Sequence, residues 1–183
     1  MSNKRRDFLL SGTSIMAGVL GSVALTPSIK RWTHTNYGEK PRIITINGMM
    51  PGNIMAFTWN NKSFYILKRT KEMLESLNTI NDQLKDPESR YSLQPENCKN
   101  QHRSIKEEYL VVYNHCTRVG NSLMVNNKQE TYLKNVGFYC TDEGSRFDFA
   151  GRSFIGSPGG PNLHIPHYYY KDDNTIVIDK SIF

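Results

Sequence analysis

Cys116-Thr-Arg-Val-Gly-Asn121 and Cys140-Thr-Asp-Glu-Gly-Ser145 are two short stretches of one design, a cysteine first and a glycine four residues later. Strand-like segments lead into each, Tyr109 to Tyr113 before the first and Tyr132 to Tyr139 before the second. Two loops at strand ends, each offering a cysteine, suit a metal clamp or a disulfide. Beyond the second loop run Arg146-Phe-Asp-Phe-Ala-Gly-Arg152 and the turn-rich Gly156-Ser-Pro-Gly-Gly-Pro-Asn-Leu163.

Working outward, the rest of residues 43–183 reads as a mainly β, antiparallel domain. Ile43-Ile-Thr-Ile46 opens it, and Met50-Pro-Gly52 makes a turn. Ile54 to Trp59 and Ser63 to Lys68 form a hairpin about Asn60-Asn-Lys62. Thr70 caps a short helix with Met73, Leu74 and Leu77 on one face. Residues 78–104 are polar and read as irregular, and Asn174 to Asp179 supplies a closing strand.

The charge is concentrated at one end. The chain of 183 residues has a net charge of +6, and residues 1–42 hold seven Lys/Arg against Asp7 and Glu39. The remainder is near neutral, which argues against a nucleic-acid-binding surface. Lys4-Arg-Arg-Asp-Phe-Leu-Leu10 resembles a twin-arginine export signal. Phe8 to Leu25 is then free of charge, about the shortest length that spans a membrane. Residues 1–25 are read as a retained anchor in preference to a cleaved signal peptide. The basic flank predicts a cytoplasmic N-terminus and a head on the periplasmic side of a bacterial inner membrane. Residues 26–42 show no apolar periodicity and read as a tether, with Trp32 and Tyr37 suited to the headgroup level.

The cysteine loops, the proline-rich stretch and the anchor together resemble the Rieske iron–sulfur subunit of cytochrome bc1 complexes, with its β-sandwich head. The family pattern is C-T-H-x-G-C, then C-P-C-H-G-S-x-Y-D, then a Gly-Pro loop, and the resemblance runs from residue 4 to the C-terminus. It implies a 2Fe–2S cluster, a head that swings on its tether, and electron transfer from quinol at cytochrome b to cytochrome c1. Laid on the pattern, Cys116 and Cys140 match the thiolate ligands, while Arg118 and Glu143 occupy the histidine positions. Asn121 and Asp142 stand where two bridging cysteines belong, and Phe147 where a tyrosine belongs. Gly120, Gly144, Ser145 and Asp148 match.

A Rieske cluster takes two thiolates on one iron and two imidazoles on the other. A guanidinium has no lone pair to give, and a carboxylate is a hard donor that suits other metals better. The sequence therefore predicts a Rieske-like head without a normal cluster, in a structural or accessory membrane protein. The expected replacement is a Cys116–Cys140 disulfide, worth about 3 kcal/mol for a loop of about 24 residues, beside an Arg118–Glu143 salt bridge. The alternative is a working electron-transfer subunit with an altered site, and a third reading is a small binding module at the vacated tip. A zinc site on Cys98, His102, Cys116 and Cys140 is a lesser possibility. His115 is expected to point away from Cys116, since neighbours on a strand face opposite ways. The glycines of the proline loop predict a looser loop than the family's.

Overall fold

The computed structural model describes residues 40–126 and 134–180. In chain order the strands are β1 (Arg42–Thr45), β2 (Ile54–Trp59), β3 (Lys62–Lys68), β4 (Tyr109–Tyr113), β5 (Met124–Val125), β6 (Phe138–Tyr139), β7 (Arg146–Phe147), β8 (His167–Asp172) and β9 (Thr175–Lys180). They pair antiparallel in three three-stranded sheets, β1-β9-β8, β2-β3-β4 and β5-β6-β7.

The hairpin expected at Asn60 is present and tighter than read. Asn60 and Asn61 both have positive φ, 48° and 60°, so two residues make the turn and Lys62 already pairs with Trp59. Asparagine tolerates this left-handed backbone better than other side-chain-bearing residues. β4 is buried along its whole length, and Phe64 on β3 stands opposite Tyr113. Phe64, Ile66, Leu110 and Val112 share one core with Ile44, Ile176 and Ile178 of the first sheet and with Phe138 and Phe147 of the third.

The one α-helix among the described residues, α1 (Lys71–Thr79), begins where the sequence placed its cap. Thr70 Oγ1 accepts from the Met73 amide at 3.3 Å. Met73 and Leu77 are fully buried, and Leu74 packs against the same core. The strand before the second cysteine is shorter than expected. Asn135 has φ +63° and turns the chain, and among the described residues the strand there is Phe138–Tyr139.

β1 starts at Arg42, inside the expected tether, and Trp59 Nε1 donates to Lys40 O at 3.0 Å. The export signal, the Phe8–Leu25 anchor, Trp32, Tyr37 and Tyr132 lie outside the described residues. Among the described residues no helix is long and apolar enough to cross a membrane.

Candidate functional site

The two cysteine loops fold identically. The Cys116 amide donates to Asn121 O at 2.7 Å, and the Gly120 amide to Cys116 O at 2.8 Å. In the second loop the Cys140 amide donates to Ser145 O at 2.8 Å, and Gly144 to Cys140 O at 2.9 Å. Each turn closes on a glycine in the left-handed region, φ +79° at Gly120 and +75° at Gly144. A side chain at either would meet no neighbour, so it is backbone strain that selects glycine. β4 carries the first loop, and β6 and β7 flank the second.

The loops meet through their side chains. Cys116 Sγ donates to Glu143 Oε1 at 3.0 Å, and Ser145 Oγ donates to the same oxygen. The other carboxylate oxygen faces Arg118 Nε at 3.3 Å, which is the ion pair expected from the sequence. Asn121 Nδ2 donates to Asp142 Oδ2, so the two positions expected to lack a disulfide are joined by a hydrogen bond. Hydrogen bonds from Ser145 and Cys116, then the charge of Arg118, hold the Glu143 carboxyl below its ordinary range. Burial pushes the Cys116 thiol up. All three cysteines, Cys98, Cys116 and Cys140, are free thiols here.

The proline-rich loop lies against this tip. Thr117 Oγ1 donates to Pro161 O at 2.6 Å, and Arg118 Nη1 to Pro158 O at 3.0 Å. Lys85 Nζ holds the loop from the other side, donating to Ser157 O at 2.7 Å and Gly159 O at 2.6 Å. A Cβ on Gly160 would sit 3.0 Å from Thr117 O, and one on Gly159 would sit 3.2 Å from Phe147 Cζ. These glycines permit close approach in a pinned loop, which corrects the expectation that they loosen it.

Sequence reasoning missed the scaffold beneath the tip, which is three buried arginines and one aspartate. Arg152 Nε donates to Asp148 Oδ2 at 2.7 Å, and Asp148 Oδ1 accepts from the amides of Ala150 and Arg152. Arg152 also reaches Leu77 O, Pro87 O and Asn81 Oδ1. Arg103 donates to Ala150 O, Gly151 O, Leu163 O and Gln94 Oε1. Arg69 donates to Phe149 O, Glu107 O, His102 O and Ser104 Oγ. Burial lowers both the Arg69 and the Arg103 guanidinium to about 10, and the charge of Asp148 opposes that shift. Residues 78–104, read from the sequence as irregular, hold the end of α1 and two short 3-10 helices, Asn81–Gln83 and Glu96–Cys98, and these arginines pin them to the turn after β7. The signal available was an Asp and an Arg four apart in the otherwise apolar run from Phe147 to Arg152.

The remaining titratable groups stand apart from the tip. Among the described residues, the His/Cys/Asp/Glu group able to hold a metal is Cys116, Cys140 and Glu143. Cys98 and His102 are not in it, which corrects the zinc set drawn from the sequence. Cys98 is buried in the core, with its thiol raised to about 11 by burial, and His102 lies 3.5 Å from Glu107. His115 is also outside the metal-capable group. Its ring packs edge-on against Tyr113 and lies 5.4 Å from the His164 ring. The two histidines line a cleft of about 490 Å³ with Asn61, Lys62, Asn114 and Ser122.

The donor set can be tested against a Rieske cluster. Such a cluster takes four protein donors, two of them imidazoles on one iron. The tip offers two sulfurs and one carboxylate oxygen, all within 4.8 Å of one another. Arg118 holds the fourth position as a cation, and the Glu143 carboxylate is bonded to it and to Cys116. These residues do not fit the four-donor arrangement.

No family model matches the chain. Curated relatives do match, among them two named ubiquinol-cytochrome c reductase iron-sulfur subunit. The protein from Allochromatium vinosum is 34% identical over 195 residues, covering 99% of this chain and 91% of the relative. That from Bradyrhizobium diazoefficiens is 30% identical over 178 residues, covering 95% of this chain and 93% of the relative. A chain in a solved structure titled hyperthermophilic respiratory Complex III is 16% identical with a TM-score of 0.46, covering 89% of this chain and 98% of that one.

Proposed function

Because the chain belongs to the family of ubiquinol–cytochrome c reductase iron–sulfur subunits, we propose that it is a bc1-type Rieske subunit that has exchanged its normal 2Fe–2S cluster for a lattice of side-chain contacts. It acts as a structural or accessory membrane protein. The observation that carries this reading is the Arg118–Glu143 pair, 3.3 Å apart, at the two positions where the family pattern has imidazoles. An ion pair this exposed contributes little to stability. Its larger effect is chemical: neither group is an imidazole that gives up a proton as an electron leaves.

In this reading residues 1–25 anchor the chain in a bacterial inner membrane, 26–42 tether it, and 43–183 form the head on the periplasmic side. Its partners are cytochrome b and cytochrome c1. In an oxidising compartment the Cys116 and Cys140 thiols exchange with a disulfide donor. The pair loses two electrons and two protons, the donor leaves as a dithiol, and the new S–S bond closes the two loops on each other.

A second reading, a working electron-transfer subunit with an altered site, is favoured by one observation, the convergence of Cys116, Cys140 and Glu143. Visible and electron-spin-resonance spectra of the full chain purified with its membrane partners separate the two. The first reading expects co-purifying haem and no cluster signal from this chain. A stoichiometric iron–sulfur signal removed by Cys116→Ser overturns it.

A further inference from the structure

The tip retains three donors of unequal softness in one place. Cys116 and Cys140 are each about 1% exposed, and the Glu143 side chain is 16% exposed. Their sulfur and oxygen atoms lie within 4.8 Å of one another. We propose that, as a dithiol, this tip is a mononuclear site for zinc or a similar borderline-soft divalent ion, held by Cys116 Sγ, Cys140 Sγ and Glu143 Oε1. The proposal rests on the absence of a normal cluster argued above.

The size of the set suits one ion. Two Zn–S bonds of about 2.3 Å at a tetrahedral angle hold their sulfurs about 3.8 Å apart. The three donors lie within 4.8 Å of one another, about 1 Å beyond that spacing at most. Thiolate and carboxylate are both zinc donors, and the mixture disfavours magnesium or calcium, which take oxygen donors alone. Binding displaces the Cys116 proton now donated to Glu143 Oε1 and the Cys140 proton, and both pass to solvent.

The surroundings suit the loaded state as well. Two thiolates and a carboxylate around a divalent ion leave one net negative charge. Arg118 supplies one positive charge at Glu143 Oε2, the oxygen not used for the metal. It is itself held by Pro158 O at 3.0 Å. Arg118 thus becomes a positioning residue that fixes the carboxylate, the kind of outer partner whose loss weakens metal sites about 10–100-fold. Three protein donors leave a fourth coordination position for water or another ligand.

The test uses the full chain in detergent, kept reduced and stripped of metal with a chelator, and titrated with Co²⁺ as a visible probe and Zn²⁺ as competitor. The expected result is one Co²⁺ per chain with a thiolate-to-cobalt absorption band, displaced by Zn²⁺. Cys116→Ser or Cys140→Ser should abolish the band. Glu143→Gln, on a partly exposed side chain that the fold tolerates, should weaken binding at least about tenfold, and Arg118→Gln about tenfold. Circular dichroism confirms that each variant is folded. No band in the parent chain, or unchanged affinity in folded Glu143→Gln, overturns the site. If the chain as isolated carries iron with acid-labile sulfide, the cluster-less reading fails too. If it carries neither and still takes up no Co²⁺, only this inference falls.

Discussion

Asn121 Nδ2 donates to Asp142 Oδ2, tying the first loop to the second at the two positions where the Rieske pattern has bridging cysteines. The covalent brace is replaced by a hydrogen bond between exposed side chains at the same place. The Arg118–Glu143 pair beside it follows the same logic, with opposite charges standing where two imidazoles would share an iron.

Restoring the brace should therefore succeed. Asn121→Cys with Asp142→Cys closes a loop of about 21 residues, for which a bridge is worth about 3 kcal/mol. The expected result is a disulfide by thiol titration and a higher denaturant midpoint under oxidising conditions only. Two free thiols at these positions in air would show that the loops do not hold the required geometry.

The buried scaffold gives a larger effect. Asp148→Ala leaves Arg152 buried without its carboxylate and two backbone amides without an acceptor, so the loss should reach about 3–5 kcal/mol in urea unfolding. Asp148→Leu with Arg152→Met should not recover it. Arg152 also serves Leu77 O, Pro87 O and Asn81, and an apolar pair leaves those acceptors unmatched.

Little of that scaffold was legible in the sequence, although much of the fold was. The hairpin at Asn60-Asn61, the Thr70 cap and the Tyr109–Tyr113 strand are set by neighbours in sequence, and each was read close to its place. The same is true of the two cysteine turns, where a glycine four residues on marks the closure. Arg69, Arg103 and Arg152 look like surface residues by type. Their burial depends on acceptors such as Phe149 O for Arg69, Leu163 O for Arg103 and Leu77 O for Arg152. Those acceptors are 60 to 80 residues away, and no local pattern announces them. The Asn121–Asp142 bond is hidden for a related reason: in sequence each residue shows only as the absence of a cysteine, and only the fold brings the two together.

His164 should make the head sensitive to mild acid. Its imidazole is held down to about 4 by burial first, then by His115 and Arg103. A histidine has an ordinary pKa of about 6.5, so between those values the unfolded chain binds a proton that the folded head excludes. The contribution is full above about pH 6.5 and is lost as pH falls towards 4, by about 1–3 kcal/mol after allowing for solvent. Urea midpoints at pH 7 and pH 4.5 measure it, and His164→Gln should flatten the difference. An unchanged slope in that variant would assign the acid sensitivity elsewhere.

The backbone of the tip should accept a cluster once imidazoles are supplied. Arg118→His with Glu143→His supplies two imidazoles beside Cys116 and Cys140. On reconstitution with iron and sulfide, the double variant should become coloured and electron-spin-active while the parent chain stays colourless. A colourless double variant would mean that the loop backbone, and not the ligands alone, has moved away from a cluster-binding form.

The most direct test is a count of iron and acid-labile sulfide per chain in full-length protein purified without air from its own membranes. Neither is expected above trace, with zinc at up to one per chain in the reduced protein. Two irons and two sulfides per chain, lost together on replacing Cys116 or Cys140, would contradict it.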